Sequence, residues 1–243
     1  MKLQGKTAVI TGGGSGIGLG IAVAFAAEGC RVVIAGRREE LLREAAETSQ
    51  GETPLLFHTV DVTDRESVKR LFDWATEQLG QIDILVNSAG INIKTRSMAT
   101  MSPEQWDEVM AINATGAYNC TYEVLPQMRE RRDGLIIHVS SIAGLRALAL
   151  GGIAYCAAKF AMSAMGTAIA NEEAPNGIRV TNLYPGEVNT PILENRPEPV
   201  SDERKAAMVQ PEDIGELAVT IACLPPRSHV SDVIIKPRVQ EYV

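Results

Sequence analysis

The sequence predicts an α/β fold, doubly wound, in which one seven-stranded parallel sheet is flanked by helices on both faces. Short β-branched apolar runs alternate with longer amphipathic stretches, the pattern of repeated strand–helix–strand units. The runs are nearly continuous in hydrophobicity, as in Ile82-Asp83-Ile84-Leu85-Val86, which suits strands covered on both sides. With 243 residues, 45% of them hydrophobic and 22% charged, the chain has a globular composition and a size suited to a single domain over 1–243.

Strands are expected at 7–11, 31–35, 55–60, 82–87, 135–139, 179–184 and 233–236. A glycine-rich turn separates the first strand from a helix at 19–27. Thr63-Asp64-Arg65-Glu66 reads as a capping box opening a third helix. Ser102-Pro103-Glu104-Gln105 reads as another, with proline at the first position of a helix running to about 131. A further helix spans 153–174. Pro191, Pro197 and Pro199 interrupt regular structure up to about 201, and the stretch 191–208 is read as a small substrate lid.

A net charge of -7 disfavours nucleic acid and anionic membrane surfaces as partners, so any phosphate site must be local. Cys30, Cys120, Cys156 and Cys223 form no CxxC pair and lie in apolar stretches, which reads as reduced, buried thiols. His58, His138 and His229 match no ligand spacing, and no metal is expected. Met1 to Lys6 run straight into a strand with no signal peptide, and no apolar run approaches the roughly 20 residues of a membrane helix. A cytoplasmic protein is therefore expected.

The turn after the first strand reads Thr11-Gly12-Gly13-Gly14-Ser15-Gly16-Ile17-Gly18. Glycine is needed where a chain turns sharply off a strand and lets a pyrophosphate approach its backbone, and the helix start supplies free N–H groups. The common GxGxxG pattern is not matched; Gly12, Gly16 and Gly18 give GxxxGxG. A purely structural turn is the alternative, weakened by its place directly after the first strand. At the end of the second strand, an acid would chelate the ribose hydroxyls of NAD, but the chain has Ala35-Gly36-Arg37-Arg38. Arg37 and Arg38 suit a 2′-phosphate, so NADP(H) is expected and NAD is the less favoured cofactor. The two arginines could instead simply begin a solvated helix.

Tyr155 and Lys159 lie four apart in a helical stretch and share one face. A phenol of pKa about 10 is a poor acid–base catalyst, and a neighbouring ammonium favours its phenolate. Such a pair arises often by chance, but Ala157, Ala158, Phe160 and Ala161 make the surroundings apolar, and two polar residues on a buried helix need a reason.

These motifs together resemble the classical short-chain dehydrogenase/reductase family, and the likeness covers almost the whole chain. Asn87-Ser88-Ala89-Gly90 is similar to the family's NNAG motif with Ser for its second Asn, and Pro185-Gly186 follows the sixth strand as in the family. The resemblance implies a Rossmann fold with Gly12, Gly14, Ser15, Gly16, Ile17 and Gly18 at the pyrophosphate, and Asp61 and Val62 at the adenine. Asn87, Ala89 and Gly90 would line the adenosine ribose side, with Pro185, Gly186, Val188 and Thr190 at the nicotinamide. Thr190 could instead merely cap a helix. The catalytic set implied is Asn113, Ser141, Tyr155 and Lys159. Ser140 competes with Ser141, and Asn113 could instead bond a neighbouring strand's backbone. The step from Ser141 to Tyr155 is one residue longer than the usual family spacing, an excess assigned to 145–152.

The expected activity is hydride transfer between NADP(H) and a carbonyl or alcohol small molecule: a ketone, aldehyde, sugar or hydroxy acid. A nucleotide-sensing regulator without turnover is one alternative; an epimerase or dehydratase is another, which would carry a larger C-terminal domain than the chain after Pro191 allows. The segment 224–243 lacks the usual Asp-Gly-Gly and is similar to the NAD-dependent branch acting on serine and 3-hydroxy acids. Arg146, in a substrate-side loop, could attract an acidic group. The resemblance also implies a homotetramer or homodimer paired through the helices carrying Asn113 and Tyr155.

Overall fold

Alternating strands and helices run through the residues described by the computed structural model, 1–49 and 53–240. The last three residues of the C-terminal segment lie outside them. The elements are β1 (Thr7–Thr11), α1 (Gly16–Ala27), β2 (Arg31–Gly36), α2 (Glu39–Thr48), β3 (Leu56–Thr59) and α3 (Arg65–Leu79). There follow β4 (Ile84–Asn87), α4 (Pro103–Met110), a π-helical turn (Ala111–Thr115), α5 (Gly116–Arg131), β5 (Gly134–Val139) and α6 (Ile153–Glu173). The chain continues with β6 (Ile178–Pro185), a 3-10 turn (Pro191–Asn195), α7 (Asp202–Ala206), α8 (Pro211–Ala222) and β7 (Asp232–Ile235).

All seven strands are parallel, in the order β3-β2-β1-β4-β5-β6-β7. Successive side chains on β1 point to opposite faces, so Ile10 joins Ile34, Phe25, Leu42 and Ile214 on one side. Val9 joins Val33, Leu71, Leu85, Val124 and Met128 on the other. Each such fully buried side chain stabilises the fold by about 1.5–3 kcal/mol relative to exposure. Strand order reverses between β1 and β4, which opens a crevice at their C-terminal ends. Thr11 ties the two ends together: its hydroxyl accepts from the Ser88 and Ala89 amides at 3.2 and 3.3 Å.

Five local expectations are corrected. The third helix is capped by Asp64, which accepts from the Glu66 amide, while the Thr63 hydroxyl turns back to Asp61; there is no Thr63 capping box. The Ser102–Gln105 capping box is present, but the helix it opens is interrupted by the π turn around Asn113. In the 191–208 stretch, Pro191 does not prevent a short 3-10 turn, because proline at a first helical position has no amide to lose. Cys30, Cys120 and Cys156 are buried free thiols, but Cys223 is exposed. The stretch Ile153–Asn176 is long and apolar enough by composition to cross a membrane, with mean hydropathy 1.3. Here it lies against the sheet through β6 and carries buried Lys159 and Glu173, the latter ion-paired with Arg129.

Candidate active site

The crevice between β1 and β4 opens into a cavity of about 620 Å³ that runs along the strand ends. Its first wall is the turn after β1. Gly12 has φ +67, and a Cβ there would lie 2.8 Å from the Ala89 amide nitrogen and the Ser88 carbonyl oxygen, so the turn can approach β4 only as glycine. Gly18 lies outside the lining, where a Cβ would fall 2.4 Å from the Gly12 carbonyl oxygen; it lets α1 spring directly from the turn. Ser15 is the extended N-cap of α1 but makes no side-chain cap bond, and α1 carries no acid in its first turn. The amide end of α1 is thus left for an anion, with Gly14, Ser15, Gly16 and Ile17 lining the cavity beside it.

Arg37, Arg38, Asp61 and Val62 line the cavity beyond β2 and β3. The Asp61 carboxyl is held below its ordinary range by bonds from the Thr63 amide and hydroxyl, at 2.9 and 2.7 Å, and further by the Arg37 charge. Arg37 has no salt bridge among the described residues. A Cβ at Gly36 would meet Leu42 alone, at 3.9 Å. The site therefore has room for an acid at 36; its charge character comes from chemistry, not from space.

Ser141, Tyr155 and Lys159 line the far part of the cavity, beyond β5 and at the start of α6. The Ser141 hydroxyl accepts from the Ala143 amide at 3.1 Å and bonds the Tyr155 phenol. Burial pushes that phenol above its ordinary value, opposed by the Ser141 bond and, more weakly, by the Arg96 charge. Burial pushes Lys159 down to about 8. Its ammonium donates to the Val139 carbonyl at 2.7 Å and sits 5.6 Å from the centroid of the Tyr155 ring. The expectation that Lys159 lowers the phenol is corrected for this arrangement, in which desolvation dominates. Ser140 is engaged elsewhere, with the Lys159 carbonyl at 3.1 Å and the Ser163 hydroxyl at 3.0 Å.

Two further expected residues lie behind the lining. Asn113 is fully buried, donates to the Ile91 carbonyl at 2.9 Å and accepts from the Ile91 amide at 2.7 Å. It thereby fixes the chain beside Gly90, where a Cβ would lie 3.2 Å from the Asn113 carboxamide oxygen and 3.6 Å from the Lys159 ammonium. Asn87 donates to the Thr121 hydroxyl at 3.1 Å and pairs with His138 Nδ1 at 3.2 Å, beneath the cavity. Burial, with a smaller contribution from Lys159, pushes that histidine down to about 4, so it stays neutral. Ala89, Gly90, Pro185, Gly186, Val188 and Thr190 do line the cavity, and the Thr190 side chain makes no helix-capping bond.

Glu187, Gln240 and Arg96 are lining residues that no motif in the sequence marks. Glu187 accepts from Arg196 and Arg204 of the 191–208 stretch, both at 2.8 Å. Gln240 closes over the Pro185–Gly186 wall, its side-chain oxygen accepting from the Glu187 amide at 2.9 Å. Arg96 donates to the carbonyls of Ile93 at 2.6 Å, Asn195 at 2.7 Å and Leu150. Arg146 is exposed and outside the lining. Arg96, Glu187 and Gln240 carry no local motif, and the bonds of Arg96 to Leu150 and Asn195 and of Gln240 to Glu187 join residues 53 to 99 apart in the chain.

A glycine turn against an uncapped helix start, opening on a cavity that ends at a serine–tyrosine–lysine group, suits a dinucleotide and a small second molecule. The family model for the short chain dehydrogenase matches residues 6–201, and the chain belongs to that family of oxidoreductases. An uncharacterized oxidoreductase of Staphylococcus saprophyticus is 35% identical over 98% of this chain and 99% of its own. The solved alcohol dehydrogenase of Thermococcus sibiricus, complexed with 5-hydroxy-NADP, superposes with TM-score 0.88 at 26% identity, covering 98% and 99% of the two chains. The 3-ketoacyl-(acyl-carrier-protein) reductase of Brucella melitensis, complexed with NADH, gives 0.86 at 29% identity over 97% and 98%.

Proposed function

We propose that this chain is an NADP(H)-dependent oxidoreductase that interconverts a carbonyl and an alcohol, with Tyr155 as proton donor and acceptor. The observation that carries the reading is the convergence of Ser141, Tyr155 and Lys159 on the cavity that the glycine turn opens. When bound, the nicotinamide nucleotide supplies or accepts the hydride. Gly14, Ser15, Gly16 and Ile17 would hold its pyrophosphate, and Thr190 its carboxamide. Arg37, next to an acid-free Gly36, would hold a 2′-phosphate, the feature that favours NADP over NAD. NADP and NADH complexes both occur among the solved relatives, so the preference rests on these two residues.

In reduction, the Ser141 hydroxyl hydrogen-bonds the carbonyl oxygen and Tyr155 gives it a proton. Lys159, whose pKa near 8 lets it both carry and release a proton at neutral pH, restores the phenol. Asn113 acts as a positioning residue by fixing Gly90 and Ile91 beside that ammonium. We further propose a homodimer or homotetramer through α5 and α6, supported by exposed Tyr118 and Tyr122 on α5, their rings tilted with centroids 6.1 Å apart, and exposed Phe160 on α6.

The test is a screen of aldehydes, ketones, sugars and hydroxy acids with NADPH and NADP, repeated on Tyr155→Phe. Turnover should fall by about 10³-fold or more in the variant, within the range of a lost general acid, while nucleotide affinity persists. Undiminished turnover in Tyr155→Phe ends the catalytic assignment. Nucleotide binding with no turnover of any substrate favours the regulator reading. Because burial raises the phenol, oxidation, which needs the phenolate, should accelerate with pH across the neutral range, while reduction should not.

A further inference from the structure

Arg96 is a half-buried cation at the reacting end of the cavity, and no carboxylate forms a salt bridge with it among the described residues. Its neighbours on the lid differ in this respect, since Arg196 and Arg204 share the Glu187 carboxylate. Instead the Arg96 guanidinium binds three backbone carbonyls from three separate segments: Ile93 after β4, Leu150 before α6 and Asn195 of the lid. Three bonds leave two of its five N–H donors for another acceptor. A burial of this kind costs a cation solvation that neutral carbonyls replace only in part.

The electrostatics agree with that geometry. Burial lowers the Arg96 pKa, and the Arg196 charge lowers it further. Among the causes acting on it, only the negative charge of Tyr155, as phenolate, works in the opposite sense. An anion entering between Arg96 and the phenol would relieve the repulsion and fill the two free donors. The bidentate fork of a guanidinium fits a carboxylate better than any neutral group.

We propose that Arg96 is the specificity-determining residue of this site and that the substrate is a carbonyl or alcohol compound bearing a carboxylate. The inference rests on the oxidoreductase reading above and narrows it. Holding Asn195 at the same time, Arg96 brings the lid to the bound acid, so the charge that selects the substrate also closes over it.

The experiment compares matched pairs, each acid against its own methyl ester, with NADPH: 2-oxobutanoate, acetoacetate, 3-oxohexanoate and succinic semialdehyde. The wild-type chain should favour at least one acid over its ester in kcat/KM. That ratio should fall by about tenfold or more in Arg96→Met, the worth of one charge-assisted bond, and by less in Arg96→Lys. A merely structural role for Arg96 would move acid and ester together and leave the ratio in place, which overturns the proposal. Equal or better turnover of every ester by the wild type also overturns it.

Calorimetric titration of the same acids into the Tyr155→Phe chain with NADP+ separates this inference from the reading beneath it. Acid binding that Arg96→Met abolishes, in a wild-type chain without turnover, upholds the carboxylate site and removes the reductase reading. Turnover of neutral carbonyls with no acid binding does the reverse.

Discussion

At Gly12 the cavity wall is main chain: a glycine with φ +67 lies against the amide of Ala89, two strands meet at Thr11, and an uncapped helix begins four residues on. At Arg96 the wall is a side chain that reaches Leu150 and Asn195, 54 and 99 residues away. The nucleotide end is thus assembled from main chain brought together at two strand ends, and the substrate end from long side chains bridging loops. Backbone geometry admits few substitutions, whereas bridging side chains can be exchanged one at a time without disturbing the sheet. A fold built this way keeps one fixed ligand and changes the other.

The largest test of that contrast is Gly12→Val. Its Cβ would press on Ala89 and Ser88 from a backbone conformation that β-branched residues avoid. Nucleotide affinity should drop by about 10²-fold or more, measured by quenching of NADPH fluorescence, and circular dichroism checks that the sheet survives. Undiminished affinity would show that the turn yields and that the wall is not rigid.

Gly36→Asp sharpens the comparison at the same end, since the space for the new side chain already exists. The ratio of NADPH to NADH dissociation constants should swing by about thirtyfold toward NADH, the scale of a charged hydrogen bond gained and a phosphate repelled. No swing would mean that Arg37 does not set the preference.

The smallest effect belongs to the other end. Glu187→Gln removes the charge shared by Arg196 and Arg204 and should raise substrate KM by about fivefold, with a smaller change in NADPH affinity. An equal loss in both would place Glu187 in the nucleotide wall instead of the lid.

The same contrast decides what could be read from the residues. The strands were legible because burial on both faces demands uninterrupted apolar runs, as in Ile84-Leu85-Val86. The glycine turn and the Tyr155–Lys159 spacing were legible because each is local, one turn of chain or one turn of helix. Asn113 and Asn87 stand at the motif positions read in the sequence, but their side chains lie behind the lining, against Ile91 and against Thr121 and His138. Motif position alone could not show that. Arg96, Glu187 and Gln240 were invisible, since an arginine in a polar loop looks the same whether it meets water or three carbonyls. Thr63 misled because its hydroxyl donates to the Asp61 carboxylate, and Asp64, one residue on, accepts from the helix amide in its place.

The wide turn at Ala111–Thr115 has a consequence for how α4 and α5 are related. An α-helix advances about 100° per residue, so one surplus residue sets the second helix out of phase with the first by that angle. Asn113 lies inside this turn and there accepts from the Ile91 amide. Shortening the stretch by one residue would restore the phase and swing the carboxamide away while leaving every side chain's identity intact. In this stretch the count of residues is itself a message, one that residue types alone do not spell.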